Sequence, residues 1–340
     1  MANILEALIA ASERAACIAR VCCSDSTQEA LFVAEKVEGE ANARFDKDFK
    51  TIVDVLAQES AKTEIATHFP DLADKVRGEE CSEIGGVNIV VQETVERTTE
   101  LLTYLVPQNA AKRMAEAVHS KIDLKLNLPD NIPDINPSDL GIWIDPIDAT
   151  AEFIAGVQGV DNADRGLPCV TVLIGAYLRT TGEPVMGVIN QPFYDEGKGR
   201  IVWGVCYKDT REVGGTTVGV EMETKTILMS AAEKPEVAEK IKSFGWEVKS
   251  LPGAGHKLLK VALGEAAAYI VSKSTTFRWD TCAPHSILRA LGGDVLNYTT
   301  KDPITYNDPE GSNIKQYCNS GGIIAYADQT VYEKMESIFQ

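Results

Sequence analysis

The stretch Gly141-Ile142-Trp143-Ile144-Asp145-Pro146-Ile147-Asp148-Ala149-Thr150 ends an apolar run on two aspartates, three residues apart with a proline between them. Proline fixes its own backbone and biases Asp145 towards an extended conformation. The chain is therefore expected to turn sharply and aim both carboxylates at one point off the strand end. Convergent carboxylate oxygens are the ligands that a hard divalent cation such as magnesium takes. The residues that follow, Ala-Glu-Phe-Ile-Ala-Gly, can form a helix. Ala149 and Thr150 would then stand at its start, where free backbone N–H groups hold a phosphate. Purely structural duties would use the same residues, with Asp148 or Thr150 capping the helix and Asp145 closing the turn.

Three further acidic positions could join such a centre. Glu79 and Glu80 follow Gly78 directly, a pattern that a solvated acidic loop also produces. Asp54 lies one helical turn after Lys50 and Thr51, a spacing equally suited to pairing on a helix surface. Asp280 is placed at the N-cap of a helix running through Thr281-Cys282-Ala283-Pro284-His285, with Pro284 in its first turn. The four histidines, His68, His119, His256 and His285, have neither metal-ligand spacing nor a triad pattern, which leaves zinc hydrolysis and acyl-enzyme chemistry unsupported.

The elements that must position these residues follow from periodicity. Ile4, Leu8, Ala11, Ala15, Ile18 and Ala19 share one face of a helix over 3–22, and a second helix is expected from about Lys50 to Phe69. The Pro-rich segment 126–141 reads as a surface loop. Strand-like runs then crowd the middle of the chain: GIWID, CVTVLIGAYL, VMGVINQP and RIVWGVCY, with turns at Thr181-Gly182 and Glu196-Gly197. From about 225 strands and helices alternate, which places a boundary near 222 between an N-terminal α+β lobe (1–222) and a C-terminal α/β lobe (223–340).

Bulk properties narrow the function. The 340 residues, 44% hydrophobic and 24% charged, suit a packed globular protein with one large layered domain or two lobes. No apolar stretch is long enough to span a membrane and no signal-peptide block opens the chain, so a cytoplasmic protein is expected. The eight scattered cysteines, with no CxxC pair, are expected to be free buried thiols. A net charge of -17 argues against polymeric nucleic acid. For a small anionic substrate, bound divalent cations are the simplest way to invert that charge locally.

Taken in order, Lys50-Thr51 followed by Asp54, Gly78-Glu79-Glu80, Asp145-Pro146-Ile147-Asp148-Ala149-Thr150 and Trp279-Asp280-x-x-Ala283 resemble the lithium-sensitive, magnesium-dependent phosphatase superfamily of inositol monophosphatases and fructose 1,6-bisphosphatases. The likeness runs from about residue 28 to 326. EALFVAEKVEGEANARFDKDFKTIVDVLAQE and TTFRWD look like inositol polyphosphate 1-phosphatases. WDTCAP and Gly253-Ala254-Gly255-His256-Lys257 look as much like the 3'(2'),5'-bisphosphate nucleotidases. Ala149 departs from the pattern, which usually has Gly or Ser there.

The resemblance implies a layered α/β/α/β/α sandwich and release of one phosphate from a small bisphosphorylated metabolite, 3'-phosphoadenosine 5'-phosphate or inositol 1,4-bisphosphate; the acidity of the chain makes a monomer the default expectation. The resemblance also implies two or three magnesium ions and inhibition by lithium. Glu79, Asp145 and the Ile147 carbonyl would hold the first ion, and Asp145, Asp148 and Asp280 the second. Asp54 with Glu79 or Glu80 would hold a looser third and, with Thr150, orient the attacking water. Substrate contacts would come from Ala149, Thr150, Ser230, Gly255, His256, Lys257 and Arg278, with Lys257 meeting the uncleaved phosphate; a solvated helix lysine is the alternative there. An inositol monophosphatase, or an anion-binding regulatory protein without activity, would keep the same fold.

Overall fold

The computed structural model describes residues 3–23, 31–36, 40–41, 48–124, 127–215, 224–307 and 314–339. Helix α1 (Ile4–Cys23) precedes a short hairpin-like pair, β1 (Val33–Glu35) and β2 (Phe49–Thr51), and β2 runs directly into α2 (Ile52–His68). Next come β3 (Val76–Gly78), the ribbon β4 (Glu83–Ile84) and β5 (Val87–Asn88), α3 (Val95–Leu102) and α4 (Gln108–His119). The middle of the chain holds β6 (Leu140–Asp148), α5 (Thr150–Val157), β7 (Thr171–Leu178), β8 (Pro184–Gln191), the short turn α6 (Tyr194–Gly197), β9 (Arg200–Tyr207) and β10 (Thr210–Gly215). The last part alternates: β11 (Thr226–Met229), α7 (Pro235–Ser243), β12 (Glu247–Ser250), α8 (Ala254–Ala262), β13 (Ala268–Val271), α9 (Arg278–Leu291), β14 (Asp294–Asn297), β15 (Ile323–Tyr326) and α10 (Gln329–Met335).

Five layers result. A six-stranded sheet, ordered β10-β9-β8-β7-β6-β3, is antiparallel except at β3/β6. A five-stranded sheet is ordered β12-β11-β13-β15-β14, with β11 parallel to both its neighbours. Helices α1 and α2 cover the outer face of the larger sheet, where Leu5, Leu8, Ile9 and Ala61 bury against Ile142, Ile144, Ile174 and Val188. Helices α8 and α9 fill the space between the sheets, burying Leu258, Leu259, Ile287 and Leu288 among Leu173, Val202, Tyr269 and Ile323. Helices α7 and α10 close the far side with Ile241 and Met335 against Ile227, Ile270 and Ile324. The α/β/α/β/α sandwich is thus the fold. The expected boundary near 222 lies outside the described residues.

Strands β6 to β9 need both faces buried, and their continuous apolar runs supply that: every residue of β6 and β8 is buried. Where α9 crosses this sheet, Gly175, Gly187 and Gly204 lie side by side in register on β7, β8 and β9. A Cβ at Gly187 would stand 2.0 Å from the Ala283 carbonyl oxygen, and one at Gly175 2.4 Å from the Ala283 nitrogen. Glycine alone lets the helix lie backbone to backbone on the sheet.

All eight cysteines are free, but only Cys22, Cys169, Cys206 and Cys282 are buried and Cys81 is exposed, so the expectation of buried thiols holds for half of them. Among the described residues no helix is long and apolar enough to cross a membrane.

Candidate active site

Strand β6 does not turn at Pro146, as its sequence suggested; it continues through Asp148 with a bulge. Asp145 pairs with Leu173 and Asp148 with Thr171, so one strand advances three residues while its neighbour advances two. Proline has no N–H to give to the ladder, which is why the extra residue is accommodated here. Two side chains three apart on a regular strand point to opposite faces. The extra residue reverses that parity and brings Asp145 and Asp148 to the same side.

Asp280 meets them from the middle layer. Helix α9 starts three residues earlier than the sequence suggested, with Phe277 at the N-cap and Asp280 in its first turn. Asp280 is not the cap; its carboxylate reaches back to accept the Phe277 N–H at 2.6 Å. Pro284 consequently lies inside the helix rather than in its first turn. Asp145, Asp148 and Asp280 are all buried, and each offers an oxygen within 4.8 Å of the others.

The structural duty considered for Asp148 is not what it performs. Ala149 is the N-cap of α5 and no side chain caps that helix. The Asp148 carboxylate instead accepts the Ala254 N–H at 3.1 Å, the Gly255 N–H at 2.9 Å and the Thr171 hydroxyl at 3.2 Å. These are the free amides of the α8 N-terminus, where a negative charge is favoured.

Burial pushes all three carboxyl groups up from the ordinary range. Asp145 and Asp280 go furthest, with Glu79, Asp148 and Asp280 adding repulsion at Asp145, and Asp148 and Glu79 at Asp280. Asp148 rises less because Lys257 opposes the burial. Three buried carboxylates this close can be ionised together only with a cation among them. An all-oxygen donor set fits a hard divalent ion such as magnesium.

Asp54, at the third position of α2, closes a capping box with Thr51; neither it nor Glu80 is among the residues lining the pocket, which Asp54 reaches through Thr150. Its Oδ2 accepts the Thr51 N–H at 2.7 Å and its Oδ1 accepts the Thr150 hydroxyl at 2.9 Å. Asp54 is buried, not paired on a helix surface, and burial raises its pKa to about 6 against the pull of Thr51 and Lys36. Glu79 and Glu80 do not form a solvated loop either. Lys36 Nζ lies 2.6 Å from Glu79 Oε1 and 2.7 Å from Glu80 Oε1. Burial, with repulsion from Glu79 and Asp54, lifts Glu80 to about 8 in spite of Lys36.

Glu79, Asp145, Ile147, Asp148, Ala149, Thr150 and Asp280 therefore line one pocket. Its remaining wall contains Phe49, Pro252, Gly253, Ala254, Thr275, Phe277 and Trp279, none of which the sequence singled out as a contact. Phe277 and Trp279 stack at 4.7 Å with their rings parallel. Ser230, Gly255, His256, Lys257 and Arg278 are not among the lining residues. Ser230 is buried and its hydroxyl accepts the Ala232 N–H at 3.2 Å. Gly255 serves Asp148. His256 is buried, and its pKa falls to about 4 through burial and the nearby Lys260 and Lys257. Lys257 is fully buried; its ammonium donates to the Leu251 carbonyl at 3.0 Å and to the Gly253 carbonyl, and lies over the Tyr269 ring.

Ala149 has φ 72 and ψ 48, the left-handed region that a β-carbon disfavours by about 1 kcal/mol or more. That conformation carries the chain from β6 into α5, whose first residues line the pocket beside Asp148. Changing Ala149 to Gly should leave turnover within about twofold and not lower the melting temperature, because relieved strain offsets the added freedom of the unfolded chain. Changing it to Val should cost stability and activity together; thermal melts with matched rate measurements check both.

A bulged strand and the first turn of a central helix meet in a buried carboxylate cluster, beside the N-terminus of a third element, an arrangement that suits a metal-dependent hydrolase of layered α/β architecture. Comparison with known proteins agrees. A sequence model described as the inositol monophosphatase family matches residues 4–336. Inositol polyphosphate 1-phosphatase of Bos taurus is 36% identical, over 98% of this chain and 96% of that protein. The 3'(2'),5'-bisphosphate nucleotidase 1 of Mus musculus is 31% identical over 56% of this chain and 58% of that one. Among solved structures, extragenic suppressor protein suhB from Bartonella henselae covers 99% of this chain and 98% of its own at 15% identity, with a TM-score of 0.59, a likeness of fold. The chain belongs to the inositol monophosphatase family.

Proposed function

We propose that this enzyme removes the 1-phosphate of inositol 1,4-bisphosphate, the 3'-phosphate of 3'-phosphoadenosine 5'-phosphate, or both, with magnesium as cofactor and lithium as inhibitor. The observation that carries the reading is the shared pocket, in which the Asp145, Asp148 and Asp280 carboxylates adjoin the first residues of α5. Glu79, Asp145, Asp148, Asp280 and the Ile147 carbonyl would hold magnesium. When bound, the metal supplies a lowered water pKa and charge neutralisation at phosphate.

The chain's own groups do the rest. The backbone amides at the start of α5 bind the phosphate to be cleaved. Thr150 and Asp54 orient the attacking water: its proton passes to Thr150 Oγ1 as the Thr150 proton passes to Asp54 Oδ1, along the 2.9 Å hydrogen bond already in place. A carboxyl lifted to about 6 is well matched to accept that proton near neutral pH. The apolar wall of Phe49, Phe277 and Trp279 suits the flank of a compact ring scaffold. Similarity over nearly the whole length favours the inositol scaffold over the nucleotide one. A monomer acting in the cytoplasm on a freely diffusing metabolite completes the reading.

Phosphate release from inositol 1,4-bisphosphate, 3'-phosphoadenosine 5'-phosphate and inositol 1-phosphate, side by side with magnesium and then with magnesium plus lithium, tests it. Lithium-inhibited release from a bisphosphate is expected. Release from inositol 1-phosphate alone would make the enzyme an inositol monophosphatase, and no release from any would leave an anion-binding protein.

A further inference from the structure

Lys36 was not among the candidate site residues, yet its ammonium is buried between two of the carboxylates that were. Its side chain is 2% exposed and spans Glu79 and Glu80 with ion pairs of 2.6 and 2.7 Å. Asp48, just before β2, and Asp54, in α2, add their attraction. The backbone holds the ammonium in place: β1 ends one residue before Lys36, its register with β2 is fixed at three pairs, and the Lys36 N–H donates to the Asp48 carbonyl at 2.8 Å.

We propose that the Lys36 ammonium occupies the position of a third cation, so that the pocket takes two divalent ions and the protein itself supplies the remaining positive charge. Glu80 and Asp54 are the carboxylates that a looser third magnesium would need, and Lys36 already pairs with the first and faces the second. A dication among the same oxygens would stand within an ion-pair length of the ammonium. In a buried setting two such charges repel strongly, and salt screens them little. An ammonium also differs chemically from a metal ion: it donates hydrogen bonds and cannot polarise a bound water into hydroxide. Glu79 and Glu80 would then divide their work, Glu79 reaching towards the metals through its pocket-lining side and Glu80 anchoring Lys36.

The inference rests on the phosphatase reading only for the presence of divalent ions, and its test does not need turnover. Manganese stands in for magnesium, and the ions bound per chain are counted by equilibrium dialysis, with the free ion read by electron paramagnetic resonance. The wild-type chain and Lys36→Arg should bind two ions, and Lys36→Met three. Glu80→Gln should still bind two, since Glu80 holds the ammonium and not a metal. Three ions in the wild-type chain, a count of two in a folded Lys36→Met protein, or an ion lost in Glu80→Gln would each overturn the proposal. Should Lys36→Met fail to fold, the wild-type and Glu80→Gln counts decide. Counts as expected without phosphate release from any substrate would end the phosphatase reading and leave this one standing.

Discussion

Replacing Asp145 with asparagine is expected to lower phosphate release by about a thousandfold or more, while raising the melting temperature of the metal-free protein. The first effect follows from position: Asp145 interacts with Glu79, Asp148 and Asp280, so a divalent ion held by the cluster would depend on its charge. The second follows from the burial that pushes these carboxyl groups up, because an uncharged amide removes one source of repulsion from a dry cluster. The same shifts set a pH dependence. A group whose folded pKa lies above its unfolded value binds its proton more tightly when folded, so its stabilising contribution is present at low pH and lost as pH rises through the folded value. For Asp54 that window runs from 3.8 to about 6, and for Glu80 from 4.5 to about 8. In a chelator the wild-type protein should therefore melt higher at pH 5 than at pH 8. Magnesium should restore stability at pH 8, and Asp145→Asn should show a shallower pH slope and little response to the metal. Thermal melts with chelator and with magnesium at the two pH values decide. An Asp145→Asn protein that kept the wild-type magnesium response would remove Asp145 from the metal site.

Asp54→Asn should reduce kcat by about a hundredfold to ten-thousandfold, the usual contribution of a positioned base, with KM for the substrate little changed. Asparagine preserves size and can still accept the Thr51 N–H through its carbonyl oxygen. Its amide then faces the Thr150 hydroxyl, which must turn to accept a hydrogen bond where it now donates one. The relay from water to carboxylate is broken although the pocket keeps its shape. Weakening the capping box should cost roughly 1 kcal/mol of stability. Steady-state kinetics at saturating magnesium, paired with a melting curve, separate the two roles. Undiminished kcat with a lowered melting temperature would mean that Asp54 only caps α2.

Much of this site was legible in the sequence because its carboxylates sit on strong local signals. Asp145 and Asp148 lie at the end of a long apolar strand, and Asp54 and Asp280 each stand in the first turn of a helix. What failed was local geometry that depends on a neighbour. Pro146 looked like a turn, and only the pairing of β6 with β7 makes it a bulge. Asp280 looked like a cap because the true N-cap, Phe277, carries no capping side chain. Lys36 was invisible, since its partners lie 43 and 44 residues further on and no spacing rule links them. Helices α3 and α4 went unassigned, and short strands such as β12 and β14 carry too few residues for a period to register. The apolar wall of the pocket was missed for another reason: Phe49, Phe277 and Trp279 read as ordinary core until their surroundings are known.

The row of glycines beneath α9 gives the protein a reference plane. Gly175 and Gly187 place the backbone of Ala283 against the sheet, and Asp280 projects from the same helix one turn earlier. The separation between Asp280 and the β6 carboxylates is thus gauged by main chain resting on main chain, not by the bulk of intervening side chains. Hydrophobic residues elsewhere in the middle layer can exchange volume over evolutionary time without altering that gauge. A single methyl group on the track would shim the helix away and detune the cluster from a residue that touches no ligand. Tolerance to change in this enzyme is consequently uneven, wide in the packing around α9 and almost nil along three positions that have no side chain at all.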